Sequence, residues 1–353
     1  GLNLRNLQHM SHHSLAGFAS DGRGAARTPR RTVRNPPNRA GVTAAIRRLS
    51  PLAWVGIVLL AGWLIWLPLS SDTTELRQHS QVIIAVAAVL GVNVATGYGG
   101  MISLGHGVFM GMGAFATAYY VDDLSMPWVV AIALGAATAG VSGIVVGLPA
   151  LRIKGIHLAL VTLGLAIAFQ PIAKRFPTLT GGVSGKAVEA RFDAPSWFGD
   201  TRLADAVWRY LFCIIMVAIA IVFTWNLIHS RPGRAMRAIR DNDTAAAIYG
   251  VDLVRTRVGT FAVSAALAGL AGGLQVVLVP FVSQETFTAQ KSLVLYATAV
   301  IGGLGFIWGS VVGVAFREIV SWIGEQLATI DGWGVFSEFF ALLDEEAFVF
   351  GFA

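Results

Sequence analysis

The sequence predicts an all-α, polytopic helical membrane protein with about eight transmembrane segments, within a range of about eight to ten. Hydrophobic residues make up 55% of the 353 residues and charged residues only 13%, whereas soluble domains carry about 25% charged residues. Apolar runs of about 20 residues, the length that crosses a bilayer as a helix, recur along the chain. The 40 glycines are typical of membrane helices that pack closely through small residues.

The first 50 residues differ in composition from the rest of the chain. They contain nine arginines against one acidic residue, Asp21, with little hydrophobic periodicity. Residues 1–50 are therefore predicted to form a disordered, basic cytoplasmic tail that can touch anionic lipid. Phe18 is the only aromatic residue among these basic residues, which argues against nucleic-acid binding. The chain does not begin with methionine, and Met10 is a candidate start. Residues 51–353 are predicted to form the transmembrane domain.

Eight apolar runs are predicted as spans. In chain order they are Leu52–Ser70, Gln81–Thr96, Met101–Val121, Trp128–Ala150, Ile156–Ile172, Ala206–Ile228, Val258–Val282 and Leu293–Phe316. The third and fifth are glycine-rich or short, so they are candidates for broken or re-entrant segments. With a cytoplasmic N-terminus, the short cationic connections, such as Arg152/Lys154 and Arg317, all fall inside. Asp122 and Asp123 then fall outside, as the positive-inside rule requires.

A polar stretch, residues 229–257, separates the sixth and seventh predicted spans and reads HSRPGRAMRAIRDNDTAAAIYGVDLVRTR. Pro232-Gly233 is predicted to break the preceding helix. Asp241-Asn242-Asp243 supplies turn residues and an N-cap, so Thr244–Tyr249 is predicted as a short second helix. Gly250 lies where such a helix would end in a left-handed residue.

Four arginines, Arg231, Arg234, Arg237 and Arg240, precede this short helix, and Ala245-Ala246-Ala247 give it a bare face. One interpretation is an ordinary cytoplasmic loop that obeys the positive-inside rule. The other is a docking element, because small side chains let a helix enter a cleft in another protein. The capped alanine helix and its terminal glycine favour the second interpretation.

The stretch GYGGMISLGHGVFMGMGAF, residues 97–115, contains seven glycines, too many for a stable isolated helix. In lipid such a run persists only where neighbouring helices bury it or where it unwinds around a ligand. His106 is its only ionisable group. One interpretation is a structural histidine bonded to neighbouring backbone; the other is a histidine that lines the solute path or gate. Gly107 and Gly111, four residues apart, are predicted to pack helices closely.

Small residues recur every four positions in two later stretches. Helix packing explains these spacings. The helix-packing residues predicted there are Gly269 and Gly273, which are followed by Gln275, and Gly305, Gly309 and Gly313.

Nothing in the sequence supplies an energy source of its own. The segment Thr180–Lys186 resembles a phosphate-binding loop but has threonine where the first glycine belongs, and Ala187 follows the lysine instead of serine or threonine. The predicted spans between residues 52 and 316 contain no Asp, Glu, Lys or Arg except at their ends. This argues against a carrier coupled to protons or sodium through a buried acidic residue. The chain is therefore predicted not to be an enzyme, and the energy must come from a partner.

Four ordered segments resemble the LivM-type permeases, the branched-chain amino-acid importers of the ATP-binding-cassette class. They are RPGRAMRAIRDNDTAAAIYGVDLVRTR, the SLGH of residues 103–106, SAALAGLAGGL and IGGLGFIWG. The departures are the long basic tail, Asp241 and Asp243 where the family often has glutamate, and the C-terminal end. The family usually continues into a further span there, whereas this chain ends in a seven-residue apolar run, Ala347–Ala353, so it is expected to be truncated.

The resemblance implies a subunit of the inner membrane that works with other proteins. The implied partners are a second, homologous permease, two cytoplasmic ATPases that bind the ATP and magnesium, and a periplasmic or lipid-anchored solute-binding protein. No cofactor or metal is expected on this chain itself. Branched-chain, aliphatic amino acids are the implied cargo. Urea or short amides are the alternative, and a passive solute channel or a membrane scaffold are further alternatives.

The resemblance also implies roles for particular residues. Coupling to the ATPase is assigned to Arg234, Arg237, Asp243, Ala245, Ala246 and Gly250. The translocation path or gate is assigned to Ser103, Gly105, His106 and Gln275.

Overall fold

The computed structural model describes residues 68, 71–148, 155–199 and 201–328. The predicted tail of residues 1–50, all but Pro68 of the first predicted span, and the C-terminal run lie outside these residues. The described part is helical, as the composition predicts. Five of its helices are long and apolar enough to cross a membrane, or six spans if one bent helix pair is counted as a span.

The helices follow the predicted order. They are α1 (Thr73–Val92), continued by a π-helical turn (Asn93–Tyr98), α2 (His106–Asp122), α3 (Trp128–Gly147), α4 (Ile156–Lys174), the short α5 (Pro177–Thr180), α6 (Arg202–His229), α7 (Arg231–Asp241), α8 (Asp243–Ile248), α9 (Leu253–Leu278), α10 (Ala289–Gly302) and α11 (Ile307–Ala328). Two two-residue strands, β1 (Lys186–Ala187) and β2 (Phe281–Val282), pair antiparallel.

Polar side chains fix where several helices begin. The Asp72 backbone N–H donates to Glu75 Oε2 at 3.1 Å at the start of α1. The Thr201 and Asp252 side chains accept from backbone N–H groups in the first turns of α6 and α9. Each such cap satisfies a backbone donor that has no partner inside its helix.

The centre of the bundle is α9, which packs against α1, α2 and α3. Its glycines permit this close packing. A Cβ atom at Gly272 would overlap the carbonyl oxygen of Met110 in α2, and one at Gly113 of α2 would overlap the backbone of Gly269 in α9. In contrast, α3, α4 and α6 expose apolar side chains such as Val141 and Ile219 on their outer faces. Such faces suit contact with lipid.

Several predicted spans differ from the observed helices. The second begins at Thr73 instead of Gln81, and the seventh at Leu253 instead of Val258. The third begins at His106 instead of Met101, because residues 101–105 are not helical and the Leu104 N–H donates to Thr162 Oγ1 at 2.9 Å instead. The eighth is not one helix. It consists of α10 and α11, which meet at a bend of 113° around residues 303–306.

The two ends of the bundle differ in structure. The basic helix pair, α7 and α8, occupies one end. At the opposite end the chain forms a cap, defined as residues 175–193 and 279–287. There Val188 N–H donates to the Pro280 carbonyl at 2.9 Å, and Lys186 forms an ion pair with Asp123. The Gln284 side chain, which is fully buried, donates to the carbonyl of Gly182.

Candidate functional site

The break between α6 and α7 lies at Ser230, which is extended, with φ −79° and ψ −179°. Pro232 and Gly233 were predicted to form this break, but they lie in the first turn of α7. Proline suits that turn because the first N–H groups of a helix have no intrahelical partner. Gly233 permits a close approach, since a Cβ atom there would overlap the backbone of Ile228 at the end of α6.

Local sequence signals define α8 at both of its ends. At the start, Asn242 Oδ1 accepts a hydrogen bond from the Ala245 N–H at 3.0 Å. At the end, the Gly250 N–H donates to Ala247 and the Val251 N–H donates to Ala246, which is the Schellman arrangement. Gly250 has φ +80°, the left-handed conformation that its position in the sequence predicts. The helix thus ends in a turn that is held by two hydrogen bonds.

The exposed face of α8 is not the one that the alanines suggest. Ala246 is only 4% exposed and faces the rest of this chain, and Ala245 is partly buried. The side chains that project outward are Ile248 and Tyr249, which are 79% and 88% exposed. Sequence reasoning missed these two residues, although a large apolar pair beside a capping glycine was a visible signal. A partner that meets α8 contacts them before it contacts Ala246.

Three arginines of the basic stretch make different contacts. Arg234 Nη1 donates to the His229 carbonyl and Arg237 Nη2 to the Ile228 carbonyl, each at 3.2 Å. These bonds hold α7 against the end of α6. Arg257 of α9, which is buried, forms an ion pair with Asp243 at the start of α8. The basic helix pair is therefore fastened to two long membrane helices.

Arg240, in the last turn of α7, forms a hydrogen bond with a residue that is distant in the sequence. Its Nη1 donates to the carbonyl oxygen of Gly97 at 2.6 Å. Gly97 lies in the π-helical turn, where the hydrogen-bonding pattern leaves some backbone groups open to other partners. Close packing also requires glycine next to this turn, since a Cβ atom at Gly100 would lie 2.7 Å from Arg240 Cγ. Arg240 thus joins the basic helix pair to the glycine-rich stretch.

The same π-helical turn contacts the break between α10 and α11. Its first residue, Asn93, is fully buried. Asn93 Oδ1 accepts from the Gly305 N–H at 2.7 Å, and Asn93 Nδ2 donates to the Phe306 carbonyl at 2.7 Å. One amide side chain therefore satisfies the Gly305 N–H at the break and adds a second donor to the Phe306 carbonyl, which also accepts from the Gly309 N–H at 3.0 Å.

Gly305 belongs to this break and not to a helix. It was grouped by its spacing with Gly309 and Gly313 as a helix-packing residue, but it has φ +81°. A Cβ atom there would lie 2.9 Å from Arg240 Nη1. Gly305 therefore lies where Arg240, Gly97 and the broken helix meet. We call Asn93, Gly97, Arg240 and Gly305 the junction.

His106 is buried beneath the helices and does not line an open path in this conformation. It is 0% exposed, and its Nε2 lies 2.6 Å from Ser264 Oγ, whose hydroxyl donates to the Gly91 carbonyl at 2.8 Å. The serine must therefore accept from His106, which places the histidine proton on Nε2. His106 thus links α2 to α9 and, through Ser264, to α1.

The other residues predicted to line the path are not brought together with His106 at one surface. Ser103 is buried, and its hydroxyl has no hydrogen-bond partner within the described part of the chain. Gly105 packs against α4, where a Cβ atom would lie 2.8 Å from the Thr162 carbonyl oxygen. Gln275 lies about 16 Å along α9 from Ser264, at 1.5 Å per residue.

The remaining predicted packing glycines lie in tight helix contacts. A Cβ atom at Gly107 would lie 2.6 Å from Ser292 Oγ, and one at Gly111 would lie 2.7 Å from the Phe169 ring. A Cβ atom at Gly273 would lie 2.7 Å from Thr117 Oγ1, and one at Gly309 would lie 2.5 Å from the Gly302 carbonyl oxygen. Gly269 and Gly313 leave no room for a side chain against Ala139 and the Thr298 carbonyl.

Lys291 lies inside a helix, although the sequence places it before the eighth predicted span. The eighth predicted span begins at Leu293, but α10 begins at Ala289 and so includes Lys291, which is 2% exposed. Its Nζ lies 5.0 Å from the centre of the Phe287 ring. A cation over an aromatic face is stabilised by the ring quadrupole. A buried ionisable side chain therefore lies in the first turn of α10, at the N-terminal end of the eighth predicted span.

The described residues include no group of three or more His, Cys, Asp or Glu side chains that could hold a metal ion. The features that they do bring together are a helical bundle of several spans, a discontinuous helix within it, and a capped helix pair at one end that contacts the discontinuity. This combination defines a multi-pass membrane permease domain.

The chain belongs to the family described as "Branched-chain amino acid transport system / permease component", whose model matches residues 77–342. It is 27% identical over 287 residues to the high-affinity branched-chain amino acid transport system permease protein LivM of Escherichia coli K12, covering 75% of this chain and 67% of that protein. The Salmonella typhimurium LivM is 28% identical over 264 residues, covering 68% of this chain and 62% of that protein.

A more distant similarity joins the chain to a sugar permease. The ribose import permease protein RbsC of Escherichia coli K12 is 25% identical over 197 residues, which covers 52% of this chain and 56% of that protein. No solved structure matches the chain. The alignments thus span about two thirds of the length of the LivM relatives and about half of the ribose permease.

Proposed function

We propose that this chain is the membrane-spanning permease subunit of an ATP-driven importer of branched-chain amino acids. The names of the LivM relatives support the substrate class. Two cytoplasmic ATPases would bind the ATP and magnesium, and this chain would supply no ATPase site of its own. A second permease would complete the path, and a solute-binding protein would deliver the substrate. The basic helix pair would lie in the cytoplasm, together with the N-terminus.

One observation carries the proposal: the short helix α8 has an exposed apolar tip and directly follows α7, whose Arg240 is linked through Gly97 and Asn93 to a broken membrane helix. Ile248 and Tyr249 project from α8, where a partner can bury them. Aromatic and aliphatic side chains that fill a pocket in a partner contribute most of the binding energy at many interfaces. The turn at Gly250 holds this tip in a fixed orientation.

The contacts behind α8 provide a route from the ATPase to the transmembrane helices. The ion pair between Asp243 and Arg257 joins α8 to α9. The bond from Arg240 to Gly97 joins α7 to the π-helical turn. Asn93 then joins that turn to Gly305, in the break between α10 and α11. Movement of α8 by the ATPase would in this way displace the broken helix, which is the discontinuous element of the bundle.

The proposal is tested with the double variant Ile248→Asp/Tyr249→Asp. We expect the variant to insert into membranes as the wild type does, because both side chains are exposed. Because α8 would then present two carboxylates to an apolar pocket, we expect the ATPases to be lost on purification and leucine uptake to be lost with them. The matched control is Leu124→Asp, which changes a 47%-exposed leucine at the opposite end.

Retention of both ATPases and of uptake in the double variant would contradict the docking role of α8. The substrate class is tested separately. Titration of the co-purified solute-binding protein with leucine and with urea distinguishes the amino-acid proposal from the short-amide alternative.

A further inference from the structure

A cavity of about 500 Å³ lies at the end of the bundle opposite the basic helix pair. The starts of α1, α3 and α6, the end of α9 and part of the cap surround it. Its volume falls in the range of about 300–1,000 Å³ that is typical of ligand sites. The proposed function assigns no role to this cavity, and none of the predicted path or coupling residues lines it.

The cavity is rich in guanidinium groups. Four arginines line it, Arg77, Arg191, Arg202 and Arg209, against two carboxylates, Asp193 and Asp205. Both carboxylates are already engaged by protein groups. Asp193 pairs with Arg209 at 3.3 Å, and Asp205 accepts from the Ala194 N–H at 2.8 Å. The excess charge of the lining is therefore positive.

Two of these arginines are available to a ligand. Arg191 and Arg202 are exposed, and neither forms an ion pair within the described residues. Arg202 is the first residue of α6, and Thr73 and Thr74, the first residues of α1, line the same cavity. Side chains cap both of these helix starts, and the N-terminal ends of helices carry partial positive charge. Guanidinium groups beside two helix N-termini suit an oxyanion, above all a phosphate.

The other side of the cavity is apolar. Trp128 and residues 276–278 line it, and the Trp128 and Phe192 rings meet edge to face at 5.7 Å between centroids. Directly after Trp128, α3 exposes Val129 and Val130, which are 55% and 46% exposed. Tryptophan at the start of a span is typical of the boundary between lipid tails and water. The cavity therefore lies at the level where lipid headgroups meet the protein.

We propose that this cavity binds the phosphate-bearing headgroup of an anionic phospholipid. The guanidinium groups of Arg191 and Arg202 contact the phosphate, and the glycerol and upper acyl chain lie along Trp128 and the apolar wall. A small aliphatic amino acid shares the chemistry of an oxyanion with an apolar tail, but it fills only part of a cavity of this volume. The lipid accounts for both the charge and the position at the membrane boundary.

The test measures lipid binding to the purified protein in mild detergent, by native mass spectrometry and by the midpoint of thermal unfolding. Phosphatidylglycerol and phosphatidylcholine are the two probes. We expect saturable binding of phosphatidylglycerol that raises the midpoint and little effect of phosphatidylcholine. The double variant Arg191→Gln/Arg202→Gln should bind phosphatidylglycerol about thirtyfold more weakly, since each arginine near an anionic lipid contributes about fivefold.

The matched control is Arg175→Gln, which removes an exposed arginine of the cap that does not line the cavity. It should keep the wild-type affinity. Unchanged unfolding of the double variant in phosphatidylcholine shows that it folds. Equal binding of phosphatidylglycerol by the double variant, or equal binding of the two lipids by the wild type, overturns the proposal. Displacement of the lipid by free leucine or by inorganic phosphate would make the cavity a site for small solutes, and this also overturns it. Transport is not measured, so failure here leaves the proposed importer function untouched.

Discussion

Arg240 Nη1 donates a hydrogen bond to the carbonyl oxygen of Gly97 at 2.6 Å, across 143 residues of sequence. The bond joins the last turn of α7, in the basic helix pair, to the π-helical turn that continues α1. Asn93 in the same turn bonds to Gly305 and Phe306, where α10 and α11 are separated. The junction is thus one connected set of polar contacts between the end of the bundle and its discontinuous helix.

The first prediction concerns the amide of Asn93. Asn93→Leu keeps the branched shape of the side chain but removes the acceptor of the part-buried Gly305 N–H. The Phe306 carbonyl still accepts from the Gly309 N–H at 3.0 Å. The loss of this one partner costs about 1–3 kcal/mol, and we expect the free energy of unfolding to fall by that amount. Thermal unfolding of the purified protein measures this loss.

The control for Asn93 is Thr298→Val, another change from a buried polar to an apolar side chain. Thr298 Oγ1 donates only to the Val294 carbonyl of its own helix, so valine leaves no group unpaired in the junction. We expect a change below about 1 kcal/mol. An equal loss in the two variants would show that Asn93 has no special role.

The second prediction compares alanine substitutions at two glycines with positive φ, of which only one lies next to Arg240. Gly303 and Gly305 both have positive φ, +101° and +81°, so alanine at either position is strained by about 1–3 kcal/mol. A Cβ atom at Gly303 meets nothing within 4 Å, whereas one at Gly305 lies 2.9 Å from Arg240 Nη1. We expect similar losses of stability, but a larger loss of ATP-driven uptake in Gly305→Ala. Equal uptake by the two variants would argue against the Arg240 contact.

The third prediction tests glycine as the residue that lets α9 approach α2. In Gly272→Ala the new methyl group overlaps the Met110 carbonyl oxygen, so the helices must separate, and overpacking of this kind costs about 1–3 kcal/mol. In Gly164→Ala the methyl group meets nothing within 4 Å, and we expect unchanged or slightly raised stability. Unfolding midpoints in detergent compare the two variants. A stable Gly272→Ala would mean that the observed helix contact is not required.

Several elements were predictable because their signals are local. The N-cap at Asn242 and the left-handed Gly250 define α8 within one residue of its predicted bounds, since capping depends on side chains next to the helix end. The order of the spans followed from apolar run length. The sequence predicted that the alanine face of α8 docks a partner, but Ala246 is buried against this chain. The burial of Ala246 depends on what α8 packs against, which the sequence does not show.

The junction could not be predicted from the sequence in the same way. Arg240 and Gly97 meet only because α1, α7 and the break after α10 end at one place, which is a property of the tertiary fold. The break itself left a weak signal in the glycine-rich residues 302–305, but regular spacing of Gly305, Gly309 and Gly313 favoured a continuous helix. Lys291 was placed outside its span for a similar reason, since the hydrophobic run begins after the helix does.

The central claim, that the basic helix pair drives the broken helix through Arg240, is tested most directly with Arg240→Gln in the assembled transporter. ATP hydrolysis and leucine uptake are measured on the same proteoliposomes, with Arg255→Gln as the control because the Arg255 side chain is 89% exposed and pairs only with nearby Asp252. We predict that Arg240→Gln keeps its ATPases and most of its hydrolysis, while uptake falls about tenfold, the equivalent of about 1.4 kcal/mol of coupling. Uptake equal to that of the control, or an equal fall in hydrolysis and uptake, would contradict the claim.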